Sequence, residues 1–435
     1  MRTDLDEQAL QDWVVSQRWF GSKAREVVQM GVLDVVPLRE KPQPLASVLI
    51  EVRFAPGTHE IYQLPVGFRN GSMVDGLGDP DLSLVLLDLM RREARLESED
   101  AVSEFHWVEG ARDPGAGASV RPIGAEQSNS SVVFDDALTL KIYRRIEAGI
   151  NPELELLRFL TRHEFANVPA LAGWYDYTGA LMEATLGVLQ EFLPGARDGW
   201  EFALEDLDGF LPHVRALGEV TGELHTVLGS DSTDPAFAPE EPSTESLGLL
   251  TATVDEEIER VFFELPDEDA LAPIAGRGEE VREQLRHLTH VGAAGKVIRT
   301  HGDYHLGQTM LSERGWVILD FEGEPARTLP ERRRKRSPLR DVAGMMRSFA
   351  YAATASETPP PEGWEESARE EFLDAYLASA DPSLLPPGRH GVEQLLSVFE
   401  LEKAVYELRY ELNHRPDWVH IPTASILRLL EVPTR

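Results

Sequence analysis

Residues 301–324, HGDYHLGQTMLSERGWVILDFEGE, hold the side chains best suited to chemistry. Asp303 stands two positions after His301, Gln308 follows five positions later, and Asp320 and Glu322 close the stretch. Two short apolar runs, 309–311 and 316–319, flank Ser312, Glu313, Arg314 and Gly315, the pattern of a hairpin with a glycine-containing turn. A hairpin returns the chain to its starting end, so Gln308 and Asp320 are expected side by side, with Asp303 on the loop before them. Such an oxygen-rich set suits Mg²⁺ carrying nucleotide phosphates, because that ion takes one or two carboxylates together with phosphate oxygens and water. An aspartate to accept a hydroxyl proton, an amide five residues on and an aspartate beyond a hairpin make a phosphoryl-transfer spacing. The plainer alternative is a surface hairpin that happens to be acidic.

Those residues need a scaffold, and the chain is long enough for one. Its 435 residues allow two or three domains. With 42 basic and 75 acidic residues the net charge is −33, which opposes nonspecific binding to nucleic acid or anionic lipid and points to a small-molecule partner. Cysteine is absent, which excludes disulfides, thiolate-ligated zinc and a thiol nucleophile. Asp4, Asp6 and Glu7 precede any apolar run, unlike a secretory signal, and no stretch of about twenty apolar residues occurs. A soluble, cytoplasmic protein is expected.

Helical spacing covers 10–20, strands are expected over 32–36, 46–54 and 60–66, and a helix over 80–95. Residues 109–119, EGARDPGAGAS, read as a loop or a seam between domains. A strand, the small-residue turn GAEQSNSS, and strands over 132–134 and 138–143 follow. In such a turn Ser128 and Ser130 are candidates for holding phosphates through hydroxyls and backbone N–H groups. Lys141 lies on the last of these strands, and Asn151-Pro152 opens a helix with Glu153 and Glu155 in its first turn. A strand lysine paired with an acid on the next helix holds the α- and β-phosphates of ATP, which makes Lys141 and Glu153 a candidate pair, with Glu155 competing. The apolar run LGVLQEFL ends in Pro194-Gly195, and its backbone from Gln190 to Phe192 is where an adenine edge would dock.

Farther on, 211–228 reads as a buried helix with His225 a packed core histidine. Residues 229–245 read as a flexible excursion, and the basic run 332–336 as a solvated loop, with a direct phosphate role as the alternative. Asp341 is expected to cap the helix that follows or to anchor the loop at 301–303. On a helix over 395–412, Lys403, Tyr406 and Tyr410 share a face. Aromatic faces with polar tips suit pyranose rings, and Trp418, with Arg415 and His414, is expected to close the same pocket. Glu407 and Glu411 are expected in solvent.

With QRWFGSKAR, EQSNSSVV, NPELE, HGDYHLGQ, ILDFEGEPAR, SPLRDVAGMMRSF and YELRYELNHRPDWVHIP in view, the sequence resembles the actinobacterial maltokinases, relatives of the aminoglycoside phosphotransferases, along nearly its whole length. The resemblance implies an α+β, bilobal, protein-kinase-like fold: a cap domain over 1–100, a small β-rich lobe over 101–194 and a helical lobe over 195–435. It implies ATP and Mg²⁺, transfer of the γ-phosphoryl to the anomeric hydroxyl of maltose, and a link with trehalose synthase. Asp303 would be the catalytic base, Gln308 and Asp320 the metal ligands, and Lys141 with Glu153 the phosphate-positioning pair. His305 would lie on the substrate side, with His301 and Asp341 structural. Gln308 departs from the asparagine of most wider relatives. Two rivals follow: a glucosamine kinase of the same branch, which would want a carboxylate and no lysine beside the ammonium, and a catalytically silent scaffold for a trehalose-metabolising partner.

Overall fold

The structure is a computed structural model that describes residues 7–55, 57–69, 72–124, 129–180, 182–288 and 294–431. The chain divides into two compact units, 1–162 with 168–195 and 163–167 with 196–435. The first is rich in strands and the second in helices, a mixed α and β protein. Among the described residues no helix is long and apolar enough to cross a membrane.

The first unit begins with helix α1 (Glu7–Ser16) and strands β1 (Val27–Arg39), β2 (Leu45–Phe54), β3 (His59–Arg69) and β4 (Ser72–Asp75). Helix α1 stops short of the expected 10–20 span. Trp19 and Phe20 lie beyond its end, where both pack on the Tyr62 ring at 6.0 and 5.4 Å. Strand β2 is buried along almost its whole length because β1 and β3 pair with it antiparallel on either side. Asp79 caps α2 (Pro80–Arg91) by accepting from the Asp81 N–H, and Pro80 supplies a ready-made helical φ. The helix ends at Arg91 rather than 95 because Glu93 turns left-handed (φ 47°) and Arg95 opens the next strand.

That strand, β5 (Arg95–Glu97), is followed by β6 (Ala101–Trp107), β7 (Val120–Ile123), β8 (Asn129–Phe134), β9 (Leu138–Tyr143) and β10 (Arg145–Ile146). Helix α3 (Pro152–Arg162) and strands β11 (Leu171–Gly179) and β12 (Glu183–Glu191) complete the unit. The second sheet runs β5-β6-β11-β12-β9-β8-β7, while β10 returns to pair with β3 of the first sheet. Gln63 of β3 ties the sheets together: its amide donates to the Tyr143 and Leu186 carbonyls and accepts from the Tyr175 hydroxyl.

The second unit holds β13 (Arg197–Asp198), α4 (Gly199–Glu205), α5 (Leu207–Leu228), α6 (Thr244–Phe263) and α7 (Gly278–Leu288). It continues with the hairpin β14 (Thr309–Ser312) and β15 (Gly315–Ile318), then α8 (Leu329–Arg332), α9 (Leu339–Ala355), α10 (Trp364–Ser379), α11 (Gly388–His414) and α12 (His420–Leu430). Val254, Ile258, Val281, Leu285, Val398, Leu401, Val405 and Leu408 form one apolar core of α6, α7 and α11, the i, i+3, i+4 stripes that bury amphipathic helices. Residues 244–263 are helical, so the expected flexible excursion over 229–245 gives way to helix at its last two positions.

Candidate active site

Each group the chemistry needs is placed by its element. The hairpin pairs Thr309 with Ile318 and Ser312 with Gly315, which brings the residues at its open end together. Gln308 and Asp320 touch there, Nε2 donating to Oδ2 at 3.2 Å, and the Leu319 N–H donates to the Gln308 carbonyl at 2.9 Å. Asp320 holds a left-handed backbone (φ 58°), a conformation costly for a non-glycine residue that tends to occur at functional sites.

Asp303 lies on the loop before the hairpin, and that loop is held from beneath by Asp341. The buried Asp341 carboxylate accepts from the His301 N–H (2.8 Å), the Gly302 N–H (3.0 Å) and His225 Nε2 (3.2 Å). Burial alone would raise its pKa; the His225 hydrogen bond and the neighbouring imidazoles outweigh burial and hold it below the usual carboxylate range. His301 braces the loop from the other side, its Nε2 donating to the Leu319 carbonyl at 2.7 Å and its Nδ1 accepting from the Asp303 N–H at 3.3 Å. A side chain at Gly344 of α9 would meet the Tyr304 carbonyl at 2.6 Å, so glycine there lets the helix reach the loop. Among the described residues no hydrogen bond or ion pair occupies the Asp303 carboxylate, which leaves it open to a substrate proton.

His305 sits behind Gln308 with Nδ1 accepting from the Gly307 N–H at 3.1 Å, which spends one ring nitrogen on the loop itself. Burial lowers its pKa, partly offset by Asp303. Lys403 reaches the same neighbourhood. Burial would lower its pKa, but Glu324, 3.6 Å away, and Asp303 raise it, so it is held charged.

In the first unit Lys141 and Glu153 are buried and meet at 3.0 Å, and the Tyr143 hydroxyl donates to the same carboxylate oxygen at 2.8 Å. The Asn151 side chain fixes the start of α3 by accepting from the Glu153 N–H. Glu153 is thus a partner of the lysine. The Ser130 hydroxyl oxygen accepts from Arg144 Nε at 2.8 Å, while Ser128 lies outside the described residues. Gln190 pairs within the sheet with Leu171 and Thr139, and the Phe192 N–H donates to the Ala137 carbonyl. The Phe192 N–H is therefore spent within the protein rather than offered to an adenine.

The aromatic face of α11 is divided. Lys403 and Tyr406 line a cavity of about 200 Å³ together with Gly302, Tyr304, Glu324 and Arg340. Tyr410 points elsewhere and stacks on His414 at 4.4 Å, and Trp418 stacks on Tyr351 at 5.9 Å. Neither lines that cavity, and nor do Arg415 and His414. The advance of 100° per residue puts 403, 406 and 410 on one stripe, but a helix surface spans two environments along its length. The expected exposure of Glu407 and Glu411 is corrected. Arg347 binds Glu407 at 2.9 and 2.7 Å, and the buried Glu411 accepts from Arg415 and the Tyr351 hydroxyl. The sequence reading gave Glu324 no role; its i, i+3 spacing with Arg327 was the available signal.

The fold and this loop-and-hairpin arrangement are those of phosphoryl-transfer proteins, and residues 119–382 match the profile of the phosphotransferase enzyme family. The chain belongs to that family and is a phosphotransferase. Residues 13–86 match the maltokinase N-terminal cap domain, a range that runs from the end of α1 through β1 to β4 and into α2. The chain is 27% identical over 336 residues to a glucosamine kinase of Streptacidiphilus jiangxiensis, covering 71% of this chain and 73% of that one. It is also 27% identical over 339 residues to a glucosamine kinase of Mycolicibacterium smegmatis (72% and 80%). A structure of glucosamine kinase with glucosamine, ADP and inorganic phosphate superposes with a TM-score of 0.72 at 20% identity, covering 97% of this chain and 99% of that one. That likeness is one of fold.

Proposed function

We propose that the protein is an ATP-dependent carbohydrate kinase that passes the γ-phosphoryl group to a sugar hydroxyl, with maltose as acceptor and maltose 1-phosphate as product. The observation that carries this reading is the contact of Gln308 with Asp320 at the mouth of a hairpin whose preceding loop presents the unoccupied Asp303 carboxylate. Asp303 orients the acceptor hydroxyl and takes its proton as the new O–P bond forms and the bond to the ADP oxygen breaks. Lys141, oriented by Glu153 and Tyr143, holds the α- and β-phosphates. The carboxylate of Asp320 and the amide oxygen that Gln308 can present make a hard donor set that fits Mg²⁺, and the ion, when bound, neutralises phosphate charge. Asp341 and His301 keep Asp303 in register, and positioning of this kind is where much of such a barrier is lowered.

A neutral acceptor is supported by Lys403, a charged lysine within electrostatic reach of Asp303. A second reading, glucosamine, is supported by the names of the relatives. Against it, Glu407 and Glu411, the carboxylates expected to meet an ammonium, are taken by Arg347 and Arg415 and do not line the cavity, while Glu324 and Glu402, which do, are paired with Lys403 and Arg340. Coupled ADP release with maltose, glucose and glucosamine at saturating Mg²⁺-ATP separates the two. Turnover dependent on maltose supports the first, turnover confined to glucosamine replaces it with the second, and ATP hydrolysis indifferent to every sugar removes both.

A further inference from the structure

The cavity beside the catalytic loop carries a surplus of fixed positive charge. Arg327 and Lys403 share one carboxylate, Glu324, while Arg340 pairs with Glu402. Arg336, on the same wall, has no carboxylate partner among the described residues; its side chain reaches only the Glu331 carbonyl, at a long 3.4 Å. The lining as a whole sets six basic side chains, Arg327, Arg332, Arg336, Arg340, Lys403 and Arg409, against five carboxylates, Glu257, Glu324, Glu331, Asp341 and Glu402. The sequence reading of 332–336 as a solvated loop does not hold for Arg336. Its backbone is pinned by a two-way bridge to Ile298, N–H to O distances of 2.9 and 2.8 Å, and the residue lines the cavity. Burial pushes its pKa down to about 10, with Arg340 and Arg327 adding repulsion, yet it stays charged at neutral pH. Like charges held together in a partly buried wall are costly unless an anion completes them. The remaining acids on the wall are engaged: Glu331 caps α8 through Thr328, Glu257 binds Arg409, and Asp341 accepts from the His301 and Gly302 N–H groups.

We propose that this cavity is a binding site for a phosphate monoester of a sugar, with Arg336, Arg340 and Arg327 receiving the phosphate group. Guanidinium forks match phosphate oxygens in pairs and hold them more firmly than a lysine would. The cavity borders Gly302 and Tyr304 of the loop that carries Asp303, so a sugar phosphate seated there competes with the entry of a new acceptor. The product of a sugar kinase belongs to this chemical class, and the site would make the enzyme sensitive to its own product or to a related hexose phosphate. This consequence rests on the proposed sugar-kinase activity; binding itself does not.

Isothermal titration of the full-length protein with glucose 6-phosphate, inorganic phosphate and glucose, without ATP, tests it. Glucose 6-phosphate is expected to bind at millimolar or lower concentration and glucose much more weakly. Arg336→Gln is expected to weaken the phosphate ester at least tenfold with an unchanged melting temperature. Arg340→Lys, which keeps the charge and loses the fork, should weaken it too, and stands in should the first variant misfold. Phosphate ester and inorganic phosphate binding equally would assign the site to free phosphate and refute the sugar-ester assignment. Absence of binding to the wild type, or equal binding by both folded variants, overturns the site altogether. Because none of these readouts uses turnover, failure of the kinase reading would leave them standing.

Discussion

Replacing Asp341 by asparagine isolates the support of the loop that carries Asp303 from the loop itself. The carboxylate serves three donors, the N–H groups of His301 and Gly302 and the His225 ring. Asparagine keeps the shape but offers one acceptor oxygen and turns an NH₂ toward a donor. One charge-assisted hydrogen bond is lost, worth about 1.5–3 kcal/mol, and a buried donor is left without an acceptor at a further cost of about 1–3 kcal/mol. A total near 3 kcal/mol corresponds to a fall in Tm of about 6–12 °C for a unit of this size. The pH dependence follows from the lowered pKa of Asp341. A carboxylate depressed in the folded state stabilises fully above its unfolded value, about 3.9, and that contribution disappears as pH falls through the folded value. The wild-type advantage over Asp341→Asn should therefore be flat from about pH 5 to pH 8 and shrink below about pH 4. Differential scanning fluorimetry across that range measures it, and kcat, read alongside, should fall by about 10² because Asp303 is displaced. A melting temperature unchanged at neutral pH, or a penalty that grows on acidification, would refute the reasoning.

Lys141→Met should reduce kcat/KM for ATP by about 10²–10³, the range for losing one preorganised charge contact; it also strands the buried Glu153, so adding Glu153→Gln should recover melting temperature but not activity. Gln308→Ala should raise the Mg²⁺ concentration needed for half-maximal activity while leaving the sugar KM unchanged; chelation by EDTA should stop turnover of the wild type, and added Mg²⁺ should restore it. Arg347→Leu leaves Glu407 with its charge in a largely buried setting, at an expected cost of about 3–5 kcal/mol in urea unfolding; a loss under 1 kcal/mol would show that water already serves that carboxylate.

Much of this site was legible because its geometry is local. A hairpin needs only a turn and two short strands to bring Gln308 to Asp320, and Lys141 on β9 and Glu153 on α3 stand twelve residues apart with only the two-residue β10 between those elements. The bilobal kinase-like class and the cap were legible through long motifs. Less was visible where partners are remote. Arg347 meets Glu407 across sixty residues, and nothing in the helix pattern marks Glu407 or Glu411 as buried acids. Tyr410 and Tyr406 share a stripe yet serve different surroundings, since periodicity fixes a face and not what covers it. The fate of the basic run likewise depended on Ile298 pairing with Arg336, a bridge that no spacing announces.

The most direct test of the central claim is sugar-dependent formation of ADP, followed with ³¹P NMR of the sugar product, in the wild type and in Asp303→Asn. The expected result is a phosphorylated sugar from the wild type and a rate lower by about 10³ or more in a variant that melts at the same temperature. Equal rates in the two proteins, or no sugar-dependent product from the wild type with Mg²⁺-ATP, would contradict it.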